Sequence, residues 1–159
     1  MNQPSRKNFA DRERFAPRRD PRLSLRRKTF KLDSVGGDDE RFEIGFMEDV
    51  VREDPCNEDA LILLGHAYTR LGDYEKGLDI DRRLARLRPS DPTAFYNLAC
   101  SCVLTGKRDE AFSAMERAII LGYDDAEYMT GDPDLASVRD DPRFLRLLNR
   151  IRRRASAES

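Results

Sequence analysis

Residues 58–91 read EDALILLGHAYTRLGDYEKGLDIDRRLARLRPSD, and residues 92–125 read PTAFYNLACSCVLTGKRDEAFSAMERAIILGYDD. The two stretches superpose without a gap at an offset of 34 residues. Only six pairs are identical, among them Leu64 with Leu98, Gly72 with Gly106 and Leu87 with Leu121, so what matters is where they fall. They fall on packing positions and on the central turn. A repeat of this length, with apolar residues at helical spacing on both sides of a glycine, describes two antiparallel helices that bury their apolar faces only by stacking on neighbours. Expected pairs are 58–71 with 74–87, and 92–105 with 108–121.

The first unit, 58–91, resembles the tetratricopeptide repeat. Leu61, Leu64, Gly65 and Tyr68 stand where that family has Trp, Leu, Gly and Tyr. Gly72-Asp73-Tyr74 makes its inter-helix turn, Gly77 occupies its small-residue crossing site, and Pro89 closes the unit. The second unit, 92–125, keeps Phe95, Leu98, Ala99, Gly106, Ala111, Met115 and Ala118, but has Cys102 for the Tyr and Tyr123 for the closing Pro. The resemblance covers residues 41–154 and implies an all-α fold, a short α-solenoid of antiparallel helix pairs.

Both ends of the array depart from the repeat. Upstream, Phe42, Ile44, Phe46, Met47, Val50 and Val51 before Asp54-Pro55 read as the second helix of a unit, 41–57, that lacks its first. Downstream, a third unit opens at Ala126-Glu127-Tyr128-Met129 and breaks at Gly131-Asp132-Pro133, because proline removes a donor and clashes with the preceding turn. Residues 126–154 then resemble an end-of-array cap. Asp141 is placed to cap a helix whose first position is Pro142. Phe144, Leu147, Leu148 and Ile151 recur on one face of that helix and would cover the open end of the solenoid.

The net charge of -1 hides an asymmetry. Residues 1–31 hold eleven Lys or Arg against three Asp or Glu, a net of +8, leaving -9 on the rest. With Pro4, Pro17, Pro21 and little periodicity, residues 1–40 are expected to be a disordered arm ending in a hinge at 35–40. Arg18, Arg19, Arg22, Arg26, Arg27 and Lys28 could bind a polyanion, either nucleic acid or an anionic surface. Phe9, Phe15 and Phe30 interleave with the basic residues and could stack on bases. The alternative is a solvated tail.

No apolar run is long enough to cross a bilayer, and no signal-peptide core follows the initiator methionine. Cys56, Cys100 and Cys102 form no disulfide framework, which favours a reducing compartment and a cytoplasmic location. No metal or other cofactor is expected. Cys100 and Cys102, two apart on one helix, point in different directions and cannot chelate together. His66 is the only histidine, Gly106-Lys107 lacks the glycine lead of a phosphate loop, and Asp38-Asp39-Glu40 and Asp132-Pro133-Asp134 lack calcium-loop spacing. The chain is therefore read as non-enzymatic.

In the family resembled, the first helices line a concave groove that binds protein segments. The matching positions are Asp59, Ile62, His66, Thr69 and Arg70 in the first unit, and Thr93, Tyr96, Asn97, Cys100 and Val103 in the second. Some family members clamp the terminal carboxylate of heat-shock chaperones. Asn97 matches one clamp asparagine, but Ile62 and His66 stand where the first unit would supply Lys and Asn. The expectation is instead a hydrophobic or aromatic peptide, with Tyr96 as anchor.

Overall fold

The computed structural model describes residues 37–157, with side chains from residue 41. The basic residues of the arm and the first two residues of the expected hinge, 35 and 36, lie outside the described residues. Among the described residues seven α-helices follow in order: α1 (Gly37–Glu53), α2 (Glu58–Leu71), α3 (Tyr74–Leu87), α4 (Pro92–Leu104), α5 (Arg108–Ile120), α6 (Ala126–Gly131) and, after a 3-10 helix at Pro133–Val138, α7 (Pro142–Ala157). No strand occurs among the described residues. The chain is an all-α solenoid in which each helix packs mainly on its sequence neighbours, α1 on α2 through to α4 on α5. The start of the array differs from expectation: α1 begins at Gly37, so the segment read as the end of the hinge is its first turn.

The helix limits follow from capping chemistry. Asn57 accepts from the Ala60 amide at 3.0 Å, Asp73 from Lys76 at 3.4 Å, and Asp91 from Thr93 at 2.8 Å just ahead of Pro92. The C-termini of α2 and α4 close in the same way. Gly72 and Gly106 take φ 77° and 75°, the left-handed region where a Cβ is penalised. The next amides, Asp73 and Lys107, reach back to the carbonyls of Tyr68 and Cys102 at 2.9 and 2.8 Å. The identity of Gly72 and Gly106 is thus a conformational requirement.

Close approach sets the small residues. A Cβ on Gly65 would lie 3.1 Å from Ile80 Cγ2, and one on Gly77 would lie 3.3 Å from Thr69 Oγ1. The α2–α3 crossing therefore depends on both glycines. Two apolar clusters result: Ile44, Val51, Leu61, Leu64, Tyr68 and Leu84 belong to the first. Leu78, Met115, Met129, Leu135, Phe144 and Leu148 belong to the second, which joins the array to its cap. Asp141 accepts from the Arg143 amide at 2.9 Å, and α7 buries Phe144, Leu147, Leu148 and Ile151 as its periodicity required.

Candidate functional site

The outward face of α2 carries Asp59, Leu63, His66 and Arg70 at i, i+4, i+7 and i+11, one stripe of a helix. Asp59 and Arg70 are exposed, and His66 and Thr69 are half-buried. Leu63 is 46% exposed and gives the stripe its apolar centre. Thr69 directs its hydroxyl to the Gly65 carbonyl at 2.9 Å, one turn back. Ile62 does not face outward. It is buried beside Asp81, Leu84, Ala94 and Asn97, where a void of about 10 Å³ separates α2, α3 and α4.

On α4 the equivalent positions are closed. Thr93 is half-buried, while Tyr96, Asn97, Cys100 and Val103 are buried. Tyr96 is only 2% exposed, so it is corrected from accessible anchor to internal packing residue. Its ring stacks on Tyr123 with centroids 4.3 Å apart, and Tyr128 lies tilted at 6.2 Å. Its hydroxyl donates to Asp132 Oδ2 at 2.7 Å, and the Cys100 thiol approaches the same oxygen at 3.4 Å.

The group that closes this face is the broken third unit. Proline at position 133 ends α6 after six residues, and the 3-10 helix that follows packs against α4. Asp132, itself buried, accepts the Asp134 amide through Oδ1 at 3.0 Å, and its carbonyl accepts Arg139 Nη2 at 3.0 Å. The buried carboxylate is thus held by a hydroxyl, a thiol and an amide. Among the described residues, this face of α4 is filled by the broken third unit, and the corresponding face of α2 is not covered.

The polar groups elsewhere serve the fold. Tyr68 donates its hydroxyl to Glu48 on α1, and burial together with that carboxylate drives its pKa upward. Ser101 donates to buried Asp81, tying α4 to α3. Burial pushes the Cys102 thiol up to about 11. Among the described residues no group of three or more His, Cys, Asp or Glu side chains is disposed to hold a metal ion. No helix among them is long and apolar enough to cross a membrane.

Leu63 and Asp132 were missed by sequence reasoning. Leu63 lies one residue from the expected groove position Ile62, on the regular stripe of Asp59, His66 and Arg70. Asp132 stands in the Gly131-Asp132-Pro133 break and also caps the 3-10 helix that follows. The accompanying signal was Tyr123 and Tyr128, two aromatics near the array's end with no repeat role.

Comparison with known proteins agrees with the geometry. Two family models described as tetratricopeptide repeat match residues 60–93 and 92–119. A TPR repeat-containing protein of Picosynechococcus sp. is 37% identical over 65 residues, which cover 41% of this chain and 17% of that protein. A chloroplastic protein of Arabidopsis thaliana is 32% identical over 93 residues, covering 55% of this chain and 27% of that protein. The chain therefore spans little more than a quarter, at most, of these relatives.

Proposed function

We propose that this chain, a tetratricopeptide repeat protein, is a non-enzymatic adaptor that holds a peptide or protein segment against the open concave face of its first unit. Tetratricopeptide repeats are protein-interaction modules, and that general role comes with the repeats at 60–119. The finer reading rests on one observation: Leu63, 46% exposed, stands between Asp59 and Arg70 on a stripe that no other element of the chain covers among the described residues. An apolar side chain flanked by one acidic and one basic group suits a segment with an apolar residue between charges. His66 and Thr69 border it, and Thr93 extends it toward α4. Ile62, Tyr96, Asn97, Cys100 and Val103 act below this surface by fixing the angle between α2 and α4.

The test is calorimetry with the partner captured by full-length protein and then purified. Leu63→Asp should weaken binding by roughly 1 to 3 kcal/mol with no change in the melting curve, and Arg70→Glu should weaken it less. Unchanged affinity for folded Leu63→Asp places the partner elsewhere.

A second reading, polyanion binding by the arm, is favoured by its net charge of +8. Affinity for a labelled oligonucleotide should then fall steeply with salt and disappear when residues 1–31 are removed.

A further inference from the structure

Two features at opposite ends of the solenoid are left unexplained by groove binding. The first is on α1. Phe42 and Phe46, 77% and 57% exposed, lie one turn apart, and Asp49 and Glu53 continue the same stripe at i+7 and i+11. α1 contains seven acidic and two basic residues, a net of -5. Phe46 precedes Ile80 by one repeat length, and Ile80 is buried against Gly65 of its own unit's first helix. Phe46 therefore lies where a first helix packs in a complete unit, while Phe42 corresponds to Lys76, which is exposed.

The chain's own preceding residues are poorly suited to supply that helix. In both complete units the two helices are separated by a glycine turn, Gly72-Asp73 and Gly106-Lys107, whereas α1 is already helical at 38–39. The small residue of the first helix, Gly65 or Ala99, corresponds to Lys31, and Leu61 or Phe95 corresponds to Arg27.

The second feature is α7. It holds six arginines and no acidic residue. Arg146, Arg150 and Arg153 stand exposed at i, i+4 and i+7, opposite the buried Phe144, Leu147, Leu148 and Ile151. None of the three has an ion-pair or hydrogen-bond partner among the described residues. Other arginines of this chain are paired, Arg82 with Glu110 at 2.7 Å and Arg88 with Glu58 at 2.6 Å. Like charges spaced by one turn disfavour a helix, so the stripe carries a cost that no side chain among the described residues offsets.

We propose that the outward stripe of α1 is a docking surface for α7 of a second copy, joining protomers head to tail. Charge complementarity selects this occupant: a stripe carrying Asp49 and Glu53, on a helix of net -5, meets Arg146, Arg150 and Arg153 on a helix of net +6, with Asp49 shared with Arg52 of its own helix. The contact chemistry already occurs inside the protomer. The Arg143 guanidinium lies 4.0 Å from the Phe112 ring centre and that of Arg117 lies 5.7 Å from Phe95, so this fold covers phenylalanine with arginine. In the junction, the arginine stems cover Phe42 and Phe46 while the guanidinium groups reach Asp49 and Glu53. The interface is heterologous, because the surface on one copy differs from the surface it meets on the next.

Sedimentation of the full chain tests this. The average mass should rise with concentration at about 50 mM salt and return toward the monomer at about 0.5 M, where exposed charges are screened. Two variants carry the decisive arm, Phe42→Ser with Phe46→Ser and Arg150→Glu with Arg153→Glu, all at exposed positions, with circular dichroism confirming the helices. Each alone should remain monomeric. An equimolar mixture should form a one-to-one dimer and stop there, since it retains one intact α1 stripe and one intact α7 stripe. If a double variant loses helicity, Phe46→Glu and Arg146→Glu replace it in the same mixture. A wild type that is monomeric at every concentration, a mixture that stays monomeric, or self-association of either variant alone overturns the proposal. Association that emerges only after removal of residues 1–36 overturns it as well, by assigning the stripe to the arm.

Discussion

The Tyr96 hydroxyl donates to Asp132 Oδ2 at 2.7 Å, joining residues 36 positions apart and tying α4 to the end of α6. Both groups are buried, so the bond does more for the fold than a surface contact of equal length. Tyr96→Phe should lower stability by roughly 1 to 3 kcal/mol through the loss of a hydrogen bond to a buried carboxylate. Asp132→Ala should cost more, and the double variant less than the sum, because the two groups share one network. Denaturant unfolding of the four proteins measures the coupling. Additive costs would mean that the hydrogen bond does not contribute to stability.

Leu64 is buried between α1, α2 and α3. Leu64→Ala should cost about 2 to 5 kcal/mol, the range for a large-to-small change in a packed core. Urea titration followed by circular dichroism checks it, and a loss below about 1 kcal/mol would show that the site collapses around the smaller residue.

Gly72 and Gly106 both hold positive φ with open space around the missing Cβ. Alanine at either position should therefore cost about 1 to 2 kcal/mol through backbone strain alone, with no steric clash. The two costs should be similar, because the turns are built alike. Thermal melts of the two single variants make the comparison.

Cys56 is exposed, while Cys100 and Cys102 are buried. Burial pushes the Cys102 thiol up to about 11, so at neutral pH it remains protonated as well as inaccessible. Mass spectrometry after brief iodoacetamide treatment should find one modified cysteine in the native protein and three after denaturation. Labelling of Cys102 at a rate close to that of Cys56 would indicate frequent opening of α4.

Hydrogen bonds from the side chain and amide of Arg143 hold the Asp141 carboxyl at about 2, below its ordinary 3.8. A carboxyl depressed in the folded state adds stability above its unfolded value and loses it as pH falls through the folded value. The difference in melting temperature between wild type and Asp141→Asn should shrink between about pH 5 and about pH 2. A constant difference across that interval would show that the cap acts without its charge.

The helix pairs were legible because local signals agreed. The limits of α2 and α3 match their expected bounds, and α4 and α5 each end one residue short, since caps and left-handed glycines are chosen by local chemistry. The site was less legible. The inward turn of Tyr96 depends on Asp132, whose position is set by where Pro133 ends α6, a tertiary consequence that the repeat register of α4 does not contain. Leu63 escaped for the opposite reason: among the described residues no element lies over its face of the first unit.

The closed second unit and the bare α1 stripe give the molecule unequal ends. Among the principal helix contacts α1 touches α2 alone, whereas α7 packs on both α5 and α6, and the 3-10 helix locks onto α4. In a linear array each unit depends on its neighbour, so opening propagates from the weaker terminus. Amide exchange should accordingly sweep along the chain as a front, starting in α1, passing through α2 and reaching α4 last.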